Sequence, residues 1–347
     1  MANITFLSPG LNKNRGGERV IFKYALALTK FGHNVTIVVP KNTVFLNSNA
    51  INILEYSSIL PPFYSRQLGY IDAIWPAISK IPKNTEILIG TYIPQLIISN
   101  IYKILTKNIK YIVFNQDFTD MFTNRPERKL MFKYYPKLAD KIISISHFCA
   151  KEIKDLSGRD SVIIPNGIEE DFIVNNIVLE KENYIFWLGS KNKHKGFQDF
   201  WNAMNIVWEK FPNIKLITTE GAFATNNNTQ IITINGNIEL LKSIYQKATL
   251  FVCSSHSEGF GLPALEAMAS GCPVVTTDTG GSREYSKHNY NCVVVEKKKP
   301  QKLAEGILNM LNNPQKREFF AQNGVTTAKK YKWQNAFTAF NNAIIEE

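Results

Sequence analysis

Two periodicities alternate along this chain. Short apolar runs rich in β-branched and aromatic residues are separated by stretches where apolar side chains recur every three or four positions. The first run covers 4–7 and predicts a strand. A helix over about 18–31 follows, with Val20, Ile21, Tyr24, Ala25 and Leu28 at helical spacing. Gly32 ends it, and 35–39 is the next strand. A strand, helix, strand opening predicts a parallel sheet with a right-handed crossover. Further strands are expected at 87–89, 111–114 and 142–145, with helices around 94–105 and 128–139. Pro165 and Gly167 break the pattern, and the acidic, Asn-rich stretch 169–183 reads as linker. The alternation then restarts: strands at 184–188, 215–219, 231–234, 250–253, 273–276 and 291–296, and helices through about 211, at 238–247 and at 300–311. The 347 residues are comfortable for two α/β cores and long for one.

Residues 249–275, TLFVCSSHSEGFGLPALEAMASGCPVV, form the most informative stretch. Apolar runs at both ends enclose a Gly-bearing turn and a short helix. Pro263 suits the first helical position, residues 264–269 are good helix formers, and Gly271 suits a left-handed C-cap. Glu266 is thereby expected in the first turn and Glu258 in the preceding loop. The backbone N–H groups of 261–264 are expected to be unpaired at the positive end of the helix dipole, where a phosphate binds. Gly259 and Gly261 would let that backbone approach a ligand. Two carboxylates beside an anion site need another partner, and the vicinal hydroxyls of a sugar supply one. A nucleotide sugar, with a sugar ring at each end of a diphosphate, satisfies all of these groups.

The spacing of Glu258 and Glu266, the Gly-Phe-Gly-Leu-Pro filling between them and the exit through Cys272 and Pro273 together resemble the E-x7-E motif of the retaining family 4 glycosyltransferases. That resemblance implies the GT-B fold, an α/β architecture of two Rossmann-like parallel-sheet domains facing across a cleft. It implies an acceptor-side domain over 1–168, a nucleotide-sugar-binding domain over 169–330 and a C-terminal helix, 331–347, crossing back. Gly16 and Gly17, within Asn14-Arg15-Gly16-Gly17-Glu18-Arg19, resemble the family's glycine-rich loop over the donor phosphates. Gln116 stands where many members carry the His of a His-Asp pair; Gln cannot exchange protons near neutral pH, so an acid/base role would pass to Asp117 or to the donor phosphate. Lys195 matches the family's phosphate-binding Lys, whereas Ser190 occupies the usual Arg position, with Lys191, Lys193 and His194 as candidate substitutes.

The resemblance assigns donor binding to Gly16, Gly17, Ser190, Lys191, Lys195, Asn235, Gly236, Glu258, Gly259, Phe260, Gly261, Leu262 and Glu266. It assigns the chemistry to Glu258, Lys195 and Asp117. Lys195 and the amides near Gly261 and Leu262 would hold the diphosphate, Glu266 the ribose diol and Glu258 the donor sugar. Asn235 and Gly236 would border the nucleobase. The expected reaction moves a hexosyl unit from a nucleoside-diphosphate sugar to a glycan, lipid-linked or protein hydroxyl, with retention. There is no D-x-D triplet, so no metal is expected; no cofactor is expected either, the nucleotide sugar being a co-substrate. Three other readings compete. A catalytically silent subunit that binds a glycan or partner enzyme rests on Ser190 and Gln116, and a sugar-nucleotide epimerase would differ in product stereochemistry. A dinucleotide fingerprint formed by Gly259, Gly261 and Ala264, with Asp278 beyond it, is opposed by the three residues between strand and glycines and by the short helix.

Composition narrows the setting. Hydrophobic residues at 44% and charged residues at 20% describe an ordinary globular chain. The net charge of +11 is uneven: through Glu170, 21 basic against 13 acidic residues give +8, and the remaining 19 against 16 give +3. A basic first half suits a polyanionic substrate, an anionic membrane face or nucleic acid, but no zinc spacing, RNP-like pattern or Arg-rich arm supports nucleic acid. No apolar run reaches the ~20 residues of a membrane span, and no secretory signal opens the chain, so a cytoplasmic protein is expected, with peripheral contact to the inner membrane face as an option. The aromatic and basic segment 59–66 reads as a surface loop, the alternative being a membrane or acceptor contact. Thr277-Asp278-Thr279-Gly280-Gly281 is a second glycine turn that could touch phosphate or sugar. Cys149, Cys253, Cys272 and Cys292, with no C-x-x-C spacing, read as buried free thiols.

Overall fold

The computed structural model describes residues 1–347 apart from 14, 60–70, 107, 123–125, 178–179, 191–192, 220–225, 235 and 347. The aromatic and basic segment 59–66 falls, but for Ile59, outside the described residues. The chain divides into two compact units, Met1–Pro165 with Gln334–Glu347, and Asn166–Trp333. The first unit therefore ends three residues before the expected boundary. Gly167 and Ile168 belong with the second unit because the Ile168 N–H donates to the Tyr331 carbonyl at 2.9 Å.

In the first unit, seven strands form one sheet: β1 Asn3–Leu7, β2 Asn34–Pro40, β3 Asn52–Tyr56, β4 Ile87–Gly90, β5 Lys110–Asn115, β6 Lys141–Ser144 and β7 Val162–Ile163. Their order is β3-β2-β1-β4-β5-β6-β7 and every pair is parallel. Helices α1 Gly16–Lys30, α2 Ile74–Lys80, α3 Ile93–Thr106, α4 Pro126–Tyr134 and α5 His147–Ser157 connect them. Central strands of such a sheet are covered on both faces and read as unbroken apolar runs, which is why β1, β2, β4 and β5 were visible in the sequence. β3, at the edge, is half exposed and carries Asn52 and Glu55, so its pattern is weak. α5 is also absent from the expectations. It is short and charged, but Ser146 caps it, accepting from the Cys149 N–H at 3.1 Å.

The second unit repeats the plan with β8 Glu182–Trp187, α6 Phe197–Lys210, β9 Lys215–Thr219, β10 Thr229–Ile232, α7 Ile238–Lys247, β11 Ala248–Cys253, α8 Leu262–Ala269, β12 Val274–Thr277, β13 Val293–Val295, α9 Pro300–Asn312 and α10 Pro314–Ala328. Its six strands, again all parallel, run β10-β9-β8-β11-β12-β13. The stretch expected as linker is partly built into this unit: Phe172 and Val174 are buried, and the Val174 N–H donates to Ala269 at the end of α8 (3.0 Å). The last helix, α11 Trp333–Ile345, returns the chain to the first unit, where Phe337 and Phe340 pack on Tyr24 of α1 with ring centroids 5.5 and 4.4 Å away. No helix among the described residues is long and apolar enough to cross a membrane. Three of the four cysteines are buried and Cys253 is half-buried. Burial pushes the Cys272 and Cys292 thiols up to about 12, where a thiolate is scarce.

Candidate active site

In the second unit, Lys195, Glu258, Gly259, Phe260, Gly261 and Leu262 of the residues singled out in the sequence lie in or against the loop between β11 and α8. Gly261 caps α8 at φ +88°, a left-handed conformation that favours glycine, and the Tyr285 hydroxyl donates to its carbonyl. Leu262 is the first helical residue and Pro263 the second, so Glu266 lies in the second turn rather than the first. The expected row of four free amides is also shorter. Pro263 has no N–H, and the Ala264 N–H donates to the Gly261 carbonyl at 3.2 Å. The Gly261 and Leu262 amides remain outside the helical ladder, where they can serve a ligand.

Glu258 is fixed from several sides. Its N–H donates to the Thr279 carbonyl (3.0 Å), and its carbonyl accepts from the Gly281 N–H (3.1 Å). Its carboxylate takes the Ser255 hydroxyl and the Lys195 ammonium on one oxygen, each at 2.6 Å. Burial alone would raise this carboxyl. Lys195, assisted by Ser255 and His194, outweighs burial and holds it below the usual carboxylate range. Burial likewise works against the Lys195 charge, and Glu258 outweighs it, leaving the amine above its ordinary value. Both groups are therefore charged at neutral pH.

The loop carrying Lys195 is clamped onto the same strand end. Gly196 has φ +65°, and a Cβ there would lie 2.0 Å from the Ser254 carbonyl oxygen. Ser254 donates to the Lys195 carbonyl (2.8 Å) and accepts from the Trp187 indole (3.0 Å). His256 donates its N–H to the His194 carbonyl, while its ring bonds Asp199 at 2.6 Å. Ser254, Ser255, His256 and Asp199 are contributors that the sequence reading missed, because their contacts join segments up to 67 residues apart. Gly259 and Phe260 are buried in this loop, Phe260 against Tyr285 and Tyr331. Glu266 is buried too, near enough to Tyr245 and Tyr285 that, added to burial, its charge helps push both phenols up. The second glycine turn has its amides engaged: Gly280 N–H donates to Asp278 (3.3 Å) and Gly281 N–H to Glu258. It braces the Glu258 loop and does not offer these donors to a ligand. Gly236 has a left-handed φ of +77°, and Ser190 is half-buried after β8. Lys191, Asn235 and the Lys193 side chain lie outside the described residues.

In the first unit, Gly16 and Gly17 are the first two residues of α1 and not part of the loop before it. Gln116 donates its side-chain amide to the Gly17 carbonyl at 3.3 Å, and Asp117 is buried just beyond β5 with its N–H on Asn115 (3.2 Å). Burial, followed by the charges of Asp117 and Glu18, pushes the Tyr92 phenol well above its ordinary value. Glu18 is itself buried. It accepts from the Asn12 N–H (2.7 Å) and pairs with Arg15 (3.0 Å).

Comparison with known proteins matches both units. Residues 14–172 fit the model "Glycosyltransferase Family 4" and residues 169–327 fit "Glycosyl transferases group 1". An uncharacterized glycosyltransferase of Methanocaldococcus jannaschii is 29% identical over 216 residues, 61% of each chain. The capsular polysaccharide biosynthesis glycosyltransferase CapM of Staphylococcus aureus is 29% identical over 222 residues, 56% of this chain and 58% of CapM. The chain thus spans about three-fifths of the length of these curated relatives. Among solved structures, the Anabaena protein HepE in complex with UDP-glucose superposes with a TM-score of 0.78 at 14% identity, covering all of both chains (100% of each). Two all-parallel α/β units, the Lys195 and Glu258 loops joined by an ion pair ahead of the helix that carries Glu266, and family models matching each unit in turn show that this chain belongs to the family 4 type of GT-B glycosyltransferases.

Proposed function

We propose that the protein transfers a hexosyl unit from a nucleoside-diphosphate sugar to a hydroxyl of a glycan, lipid-linked or protein acceptor, with retention at the anomeric carbon. The observation that carries this reading is the Lys195–Glu258 ion pair beside the Gly261 and Leu262 amides. The two side chains satisfy each other. A diphosphate entering beside those amides takes over the Lys195 ammonium, which frees Glu258 to accept hydrogen bonds from the donor sugar. Glu266, one turn further along α8, is assigned to the ribose hydroxyls. As the reaction proceeds, the bond from the anomeric carbon to the phosphate oxygen breaks with its electrons leaving on the diphosphate. The acceptor oxygen bonds to the same face, and its proton passes to the departing phosphate. The protein contributes positioning and charge. Asp117 is assigned to the acceptor side.

UDP-glucose in the HepE structure supports a nucleotide sugar as donor, and the CapM name supports a cell-surface polysaccharide as acceptor. The test is incubation with UDP-, GDP-, ADP- and dTDP-hexoses, reading release of nucleoside diphosphate and, by proton NMR, the configuration of the first-formed glycoside. Diphosphate release from one donor with the anomeric configuration preserved is expected. An inverted product would overturn the stereochemical assignment, and a chain inert toward every donor would favour the silent-subunit alternative.

A further inference from the structure

We propose that the first unit carries a second binding site, for a neutral saccharide, at the edge of its sheet where the strands begin. A cavity of about 560 Å³ opens there, within the size range of small-molecule sites. It lies at the opposite ends of the strands from Gln116 and Asp117, which follow β5 at its C-terminal end.

The lining follows from strand register. Side chains two apart on a strand share a face. On one face, Leu7 of β1, Val38 of β2 and Tyr56 of β3 pack with Ala77 of α2 and Ile81 in an apolar core. Toward the start of the same strands, that same face turns polar in concert. Asn3 pairs with Asn34, and Thr5 with Thr36, which in turn pairs with Asn52. Five amide and hydroxyl side chains thereby form two registered rows across three strands, where a covered α/β sheet ordinarily carries apolar residues.

These groups orient one another. Asn34 donates to Asn3 (3.0 Å), Asn3 to Glu86 (3.1 Å), and the Thr5 and Thr85 hydroxyls share a hydrogen bond of 2.8 Å. The Asn34 and Asn52 side-chain carbonyls accept nothing from the described residues, and Asn84 completes the rim from the turn after α2. Although the chain carries a net charge of +11, no Lys, Arg, Asp or Glu is among the described residues that line the cavity. The imidazole of His33 does line it, with both ring nitrogens engaged inside the protein: one accepts from the Ala2 N–H (3.1 Å) and the other bonds the Asn341 side chain (2.8 Å). A phosphate would meet no lysine or arginine there, and the His33 ring nitrogens are already bonded within the protein. Amides and hydroxyls, which both donate and accept, match the hydroxyls of an uncharged sugar.

The site is tested by calorimetric titration of the whole chain with maltotriose, cellotriose and mannotriose, in wild type and in the Asn34→Leu, Asn52→Leu double variant. Both asparagines are exposed, so an unchanged thermal midpoint is expected. At least one trisaccharide should bind in the millimolar range and weaken about tenfold in the double variant, as expected for losing two hydrogen-bonding amides. Nucleotide-sugar hydrolysis should match wild type. Should the double variant prove unstable, Asn84→Ala, in the turn, carries the same test. The proposal is overturned if no trisaccharide binds, or if binding persists within about twofold in a folded variant. Failure of the transferase assignment would show separately, as absent hydrolysis with trisaccharide binding intact.

Discussion

Two largely enclosed acids, one in each unit, are held in opposite ways. Glu258 in the second unit is bound to a lysine that is itself mostly enclosed, in a loop braced by Gly281 and Thr279. Glu18 in the first unit binds a backbone amide and an arginine that is mostly in solvent. The first arrangement keeps a cation beside the Gly261 and Leu262 amides, which under the proposed function would exchange its carboxylate for a phosphate. The second holds a loop. The enclosed lysine–carboxylate pair thus belongs to the second unit, while the first unit, although it carries most of the net charge, sets the acids Glu18 and Asp117 near Tyr92 with no lysine bonded to either among the described contacts.

Removing the stored cation is the sharpest way to break this contrast. Lys195→Ala should lower kcat/KM for the nucleotide-sugar substrate about 10²–10³-fold, the usual cost of losing one group that stabilises developing charge. Steady-state kinetics check this, and near-normal activity would pass the diphosphate to Lys191 or Lys193. Gly196→Ala comes next. It combines a left-handed φ with a clash against the backbone oxygen of Ser254, which cannot swing away, and should cost about 2 kcal/mol in urea unfolding while misplacing Lys195. In the first unit, Glu18→Gln should cost only about 1 kcal/mol, because Gln can still accept from the Asn12 amide and the Arg15 pair is largely solvated. A loss as large as that of Gly196→Ala would erase the distinction between the two acids.

The smallest expected effect is that of pH. The folded Glu258 carboxyl lies below its ordinary value near 4.5, so the stability it contributes is present above that value and is lost as pH falls through the lower folded value. The folded Lys195 amine lies above 10.5, so its contribution is complete below that pH and is lost as pH rises through the folded value. Between about pH 5 and 10 the pair should add no slope to stability. Comparing urea unfolding of wild type with the Lys195→Met, Glu258→Gln double variant, which removes both charges, across that window checks this, and a difference that changes steadily with pH would contradict it.

The second unit was also the more legible in the sequence, for a physical reason. Its functional loop is local: strand, turn, Glu258, Gly261, helix and Glu266 occupy one continuous stretch, so spacing alone located them. What could not be read there is the clamp, since Lys195, Ser254 and Gly281 meet through chain segments that the fold brings together. The placement of Glu266 one turn too early came from giving Pro263 the first helical position, which Leu262 occupies. In the first unit, the central strands were visible from their unbroken apolar runs, but edge strand β3 and helix α5 have half-exposed, polar patterns that resemble loops. Gly16 and Gly17 were placed in a loop because paired glycines usually break helices, whereas here they start one.

Calorimetric titration of UDP, GDP, ADP and dTDP, each beside its nucleoside, into wild type, Lys195→Ala and Glu266→Ala tests the proposed diphosphate and ribose contacts most directly. Wild type should bind one nucleoside diphosphate much more tightly than the matching nucleoside. Lys195→Ala should lose most of that increment while keeping nucleoside binding, and Glu266→Ala should weaken both. A diphosphate increment undiminished in Lys195→Ala, or nucleoside affinity unchanged in Glu266→Ala, would contradict them.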